Sequence, residues 1–141
     1  MKPQRSQAAD KIRAIRVYAR MHDERGTNMT LRKLERKQWS EFCERVSVGL
    51  VGKRAEIEVA SLAVGAQVEV RWLPIVGLVY DHRSDMIEIL LEGVEHFVRH
   101  PRELYVEYGP SGIESLGIVD DSRAWQIILL RDPLLLPAPP R

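Results

Sequence analysis

A chain of 141 residues with 45% apolar and 29% charged side chains has the size and balance of one globular domain with a core of its own, not of a disordered segment. Twenty-one Lys and Arg against 20 Asp and Glu leave a net charge of +1, so bulk electrostatics selects neither nucleic acid nor membrane. The single cysteine, Cys43, excludes a disulfide framework and fits a reducing compartment. No apolar run reaches signal-peptide or membrane-span length, so the expected setting is cytoplasmic, with no membrane partner.

Residues 1–28 carry seven Lys and Arg against three Asp and Glu, a basic extension ahead of a mildly acidic remainder. Residues 8–21 have helical spacing. Ile12, Ile15 and Tyr18 fall three apart, with Lys11, Arg13, Arg16 and Arg20 on the flanks. Three readings apply: a basic arm for nucleic acid or anionic lipid, a solvated appendage, or a stretch ahead of a natural start at Met21 or Met29.

The next helix is expected at residues 36–48. Trp39, Phe42, Cys43, Val46 and Leu50 form one apolar stripe, with Lys37, Glu41, Glu44 and Arg45 off it. Leu34 and Trp39 are placed to form a hydrophobic staple, Glu35 is a weak N-cap, and Gly49 and Gly52 supply the stop. On that stripe Cys43 reads as core packing rather than as a nucleophile, which needs exposure and an activating neighbour.

Seven strands are then expected. Ala55, Ile57 and Val59 alternate with Arg54, Glu56 and Glu58, and Glu56 and Glu58 read as a wet face rather than an acid/base pair. Val68, Val70 and Trp72 form a second strand that Pro74 should end. Residues 77–80, a turn over 81–85 and residues 86–91 read as a hairpin. Residues 103–108, 113–119 and 124–130 follow, separated by turns at 109–112 and 120–123. The last strand is apolar on both faces, with Trp125, Ile127 and Leu129 on one and Ile128 and Leu130 on the other. The expected fold is α+β: an N-terminal amphipathic helix, then a meandering antiparallel sheet of about seven strands, curled into a small barrel or half-barrel. Residues 29–137 form its single domain, and 138–141 end a Pro-rich tail.

Candidate chemistry is sparse. Glu92, His96 and His100 have metal-ligand spacing on a helix, but Phe97 stands where a His-Glu-x-x-His motif has its glutamate, and Pro101 ends the segment. The expected metal content is none, with these three as the weak candidates. Gly-x-Ser-x-Gly and phosphate-binding Gly-rich loops do not occur, so no cofactor is expected. The aromatics sit on apolar strand phases rather than among exposed cations, as a nucleic-acid stacking platform would require.

Four weak motifs in order point to a family. They are Arg36-x-x-Trp39-x-x-Phe42; Leu73-Pro74-x-x-Gly77-Leu78-x-Tyr80-Asp81; His96-Phe97-Val98-x-x-Pro101 leading into Leu104-x-Val106; and Arg131-Asp132-Pro133-Leu134-x-Leu136-Pro137. Together they resemble a bacterial family of small domains of unknown function, number fifty-three thirty-five, over roughly Met29 to Pro137. The resemblance implies domain limits and a start near Met29, and transfers no activity.

The expected role is therefore a non-catalytic binding module that self-associates. Its interaction surface is placed at Ile128, Leu130, Leu134, Leu135 and Leu136, because a two-sided apolar strand and three tail leucines need cover. Two alternatives stand beside it: an Sm-like small barrel binding nucleic acid through the basic extension, and a metal-dependent enzyme built on Glu92, His96 and His100.

Overall fold

A computed structural model of the protein describes residues 30–61, 65–110 and 112–132. The helical expectation for residues 8–21, the extension 1–28 and the tail with Leu134, Leu135 and Leu136 lie outside the described residues.

Eight strands and one α-helix make up the described chain: β1 (Thr30–Leu34), a 3-10 turn (Arg36–Gln38), α1 (Trp39–Leu50), β2 (Arg54–Ser61), β3 (Gly65–Asp81), β4 (Met86–Leu91), β5 (Val94–Arg99), β6 (Pro101–Gly109), β7 (Gly112–Asp120) and β8 (Trp125–Arg131). All pairings are antiparallel, in the order β1-β6-β7-β8-β2-β3-β4-β5. Among the described residues no ladder joins the end strands β1 and β5, so the sheet is open, and of the expected barrel or half-barrel the closed barrel is corrected. The connection from β5 to β6 shows why. Only His100, at φ +49, separates two strands six places apart in the sheet order. The chain turns a corner there instead of pairing across the gap, and β1 occupies the free edge of β6.

The amphipathic helix forms with the expected stripe. Trp39, Phe42, Cys43 and Leu50 are buried, and the exposed Glu41 and Arg45 pair across one helical turn at 3.7 Å. It is not first in the described chain, because β1 precedes it. The join is tight: the Trp39 indole donates to the Leu34 carbonyl at 3.2 Å, and the Glu35 amide donates to the Gln38 side chain at 3.1 Å. Gly52, at φ +89, then turns the chain into β2.

The two strands expected on either side of Pro74 are one 17-residue strand. Its first half pairs with β2 and its second half with β4. The exchange falls at Trp72–Pro74, where Trp72 takes a left-handed φ of +52 and the register shifts. Pro74 donates nothing, so it fits where one partner strand has ended, and its carbonyl accepts the Glu92 amide at 2.9 Å. Beyond Pro74 the edge left by β2 is taken by α1. Ser47 Oγ accepts the Leu78 amide at 2.9 Å and has both the Leu78 and Cys43 carbonyls within donating reach, at 3.0 and 2.8 Å.

The principal core lies inside this curl. Leu104, Val106, Leu116, Ile118, Ile128 and Leu130 from one half of the sheet meet Leu78, Ile87, Ile89 and Val98 from the other, and the stripe of α1 fills the open side. Burial pushes the Cys43 thiol up to about 12, so it is an inert core group.

Candidate interaction face

Strand alternation gives the β1-β6-β7-β8-β2 half of the sheet a second, outer face. Cross-strand register aligns its side chains in rows. Leu31, Glu107, Ser115, Leu129 and Glu56 make one; Lys33, Tyr105, Gly117, Ile127 and Glu58 the next; Glu103, Val119, Trp125 and Ala60 the third. Ile127 centres a small apolar cluster with Leu31, Trp125 and Leu129, separate from the main core. Tyr105 and Trp125 stack at 5.6 Å and 21°, and Lys33 lies 5.9 Å above the Tyr105 ring while pairing with Glu103 at 3.5 Å. Burial and a hydrogen bond to Glu103 push the Tyr105 phenol up to about 12. At the β7–β8 end the face opens into a groove of about 350 Å³ between Trp125, Val119, Glu103, Arg102 and Arg123. That turn is rigid: Asp120 Oδ1 accepts from the Ser122 amide, the Ser122 hydroxyl and the Ala124 amide at 2.7–3.0 Å. An apolar floor rimmed by charged groups is the composition of a protein interface.

This reverses the predicted surface on β8. Ile128 and Leu130 are 0% and 1% exposed inside the principal core; Trp125, Ile127 and Leu129 hold the outer row, where Trp125 and Leu129 are half-buried and Ile127 is buried between them. Burial of a row depends on what the neighbouring strands present. On β7, Leu116 and Ile118 face the core while Ser115 and Gly117 face out.

The candidate metal ligands are not gathered. Glu92 is exposed in the β4–β5 turn beside Gly93, at φ +78. His96 Nε2 donates to Gln126 Oε1 at 2.7 Å, whose amide nitrogen lies 3.4 Å from Asp120 Oδ2. His100 lies against Asp85, with Nδ1 3.4 Å from Oδ2. Residues 94–99 form a strand, so the helical spacing that made the three a ligand set does not exist. Among the described residues no cluster of His, Cys, Asp or Glu is arranged to hold a metal ion.

One polar cluster was not foreseen. Arg36 Nη1 donates to Tyr80 Oη and to Asp85 Oδ1, each at 3.0 Å, and Nη2 donates to the Pro101 carbonyl at 2.7 Å. Tyr80 Oη donates to Asp85 Oδ1 at 2.9 Å, and the Arg36 guanidinium lies 4.5 Å over the Trp39 ring. Partial burial pushes the Asp85 carboxyl up, but hydrogen bonds from Tyr80, Arg36 and His100 outweigh it and hold the group below its ordinary value. With half of Arg36 exposed and three of its hydrogen bonds made within the chain, the cluster clasps the helix start to the β3–β4 and β5–β6 corners. Arg36, Trp39, Tyr80 and Pro101, dispersed through three of the motifs, meet here.

The sequence profile of a family of unknown function (DUF5335) matches residues 30–139. The chain belongs to this family. An uncharacterized protein of Aquifex aeolicus (strain VF5) is 31% identical over 110 residues, covering 77% of this chain and 99% of the relative. No solved structure matches. No helix among the described residues is long and apolar enough to cross a membrane.

Proposed function

We propose that this family domain is a non-catalytic interaction module that self-associates through its outer sheet face. The observation that carries the reading is the second apolar row of β8, Trp125, Ile127 and Leu129, outside the principal core and continuous with Leu31 across the sheet. A two-fold contact suits it, because the same face carries Lys33, Arg54 and Arg131 beside Glu56, Glu58 and Glu103, which lets one copy offer cations to the other's carboxylates. Leu134, Leu135 and Leu136 follow β8 in the sequence and add apolar residues to the proposed contact. The open sheet takes the barrel from the Sm-like alternative, which keeps only the basic extension, and the separation of Glu92, His96 and His100 takes the ligand set from the metal-enzyme alternative.

Multi-angle light scattering over a concentration series tests the reading. The mass should rise from 16.2 kDa toward twice that value, and Leu129→Lys should hold it at 16.2 kDa. A mass of 16.2 kDa at every soluble concentration, both for the wild-type chain and for one carrying Ile12→Asp and Ile15→Asp, overturns it. The second chain removes two of the three apolar residues that fall three apart in residues 8–21.

A further inference from the structure

The open sheet ends on two strands whose edges differ. On β1, Arg32 and Lys33 are neighbours in a five-residue strand, and a second copy paired about Arg32 meets like charge there. β5 carries no such block. It pairs with β4 alone, through a two-residue turn at Glu92-Gly93. The His100 amide donates to the Asp85 carbonyl at 2.9 Å, and this fixes the alternation along the strand. His96 and Val98 bond to β4, while Glu95, Phe97 and Arg99 turn their amides and carbonyls to the open edge. Among the described residues no other hydrogen bond takes these groups up, and neither Glu95 nor Arg99 has an ion pair.

The side chains of the same three residues face away from the core. Glu95, Phe97 and Arg99 are exposed, whereas Val98 is buried in the core. Register sets Phe97 in one row with Glu88 and Val79, and Phe97 and Val79 are 40% and 43% exposed. This row belongs to the β3–β4–β5 half of the sheet, apart from Trp125, Ile127 and Leu129. Its charges are placed symmetrically about Phe97, with Glu95 two residues before it and Arg99 two after. Two antiparallel copies of β5 related by a two-fold axis through Phe97 set Phe97 against Phe97, and each Glu95 against the other copy's Arg99. Those are also the positions whose amides and carbonyls are free, so backbone and side chains ask for one register. That agreement selects a second copy of this chain over an unrelated strand.

We infer that β5 is a second contact surface, and that its partner is β5 of another copy, paired antiparallel about Phe97 so that two sheets become one. This contact goes beyond the face around β8 and does not depend on it. A single short edge pairing lies at the small end of interface sizes, so it forms at higher concentration than the contact through β8.

The test uses the full chain with Leu129→Lys, which takes the β8 face out of play. Amide shifts and translational diffusion are followed by NMR at concentrations above the light-scattering series. The amides of Glu95, Phe97 and Arg99 should shift and diffusion should slow as concentration rises, with the Ile127 amide unmoved. Glu95→Arg alone, or Arg99→Glu alone, turns two attractive pairs into two repulsive ones and should raise the concentration needed about tenfold. Both side chains are exposed, so the fold is retained. Mixing these two variants should restore pairing at the parent's concentration, because each then meets its opposite. Phe97→Pro removes an outward amide without removing a bond to β4, and should abolish the shifts. β5 amides that ignore concentration overturn the inference. So do single reversals that pair as well as their parent, or a mixture that pairs no better than its components. Failure of the β8 reading leaves this result standing, since every chain in the test carries Leu129→Lys.

Discussion

Neighbouring residues of β8 belong to different environments. Ile128 and Leu130 point into a core shared by both halves of the curled sheet and α1, while Trp125, Ile127 and Leu129 point to a face rimmed by glutamates. The residue types hardly differ, but the cover does. The inner row belongs to the principal core, and the outer row to a small apolar cluster of its own. Apolar content alone therefore says that a strand is covered twice, and not by what.

The sharpest way to break this comparison is to truncate one residue from each row. Ile128→Ala should cost about 2–5 kcal/mol of unfolding free energy in urea melts, as a core cavity does. Leu129→Ala should cost well under half of that while weakening self-association by light scattering. Equal losses at the two positions would place both rows in one core. The next effect is at the edge where α1 replaces a strand. Ser47→Ala leaves the Leu78 amide unmet and should cost about 1–3 kcal/mol in the same melts, with Ser47→Thr retaining part of it.

A smaller effect concerns the clasp at the helix start. The Asp85 carboxyl is held below its ordinary value, so its contribution is present above the unfolded-state pKa and is lost as pH falls through the folded one. Urea midpoints should decline below about pH 4, and Asp85→Asn should flatten that limb while lowering the plateau at neutral pH. At the alkaline end, Tyr105 contributes in the opposite sense. Its phenol is pushed up to about 12 by burial and Glu103, so stability falls as pH rises from the ordinary tyrosine range toward that value, and Tyr105→Phe should reduce the fall.

Local pattern gave the helix stripe from Trp39 to Leu50, the alternation of β2 and the turns at 81–85, 109–112 and 120–123, because each depends on neighbours in sequence. β5 was harder to see. Its two histidines invited a helical metal reading, and the turn signal that Gly93 supplies between two strands is weak beside it. β1 is a charged five-residue strand, TLRKL, that gains its pairing only from β6. Pro74 looked like a strand end, and ends one only where a partner strand is still present on the proline side.

The sequence by itself determined a helix stripe, a ladder of short antiparallel strands and a last strand apolar on both sides. It also carried the motif order of its family. Those properties follow from composition, periodicity and turn chemistry, which act over a few residues. Tertiary structure alone decided that the sheet stays open, that β8 sits between β7 and β2, which of its rows is core, and that Arg36, Tyr80, Asp85 and His100 meet at one corner. Each of these depends on pairings across tens of residues, where alternation is the same for either register and only the packed partner chooses the face.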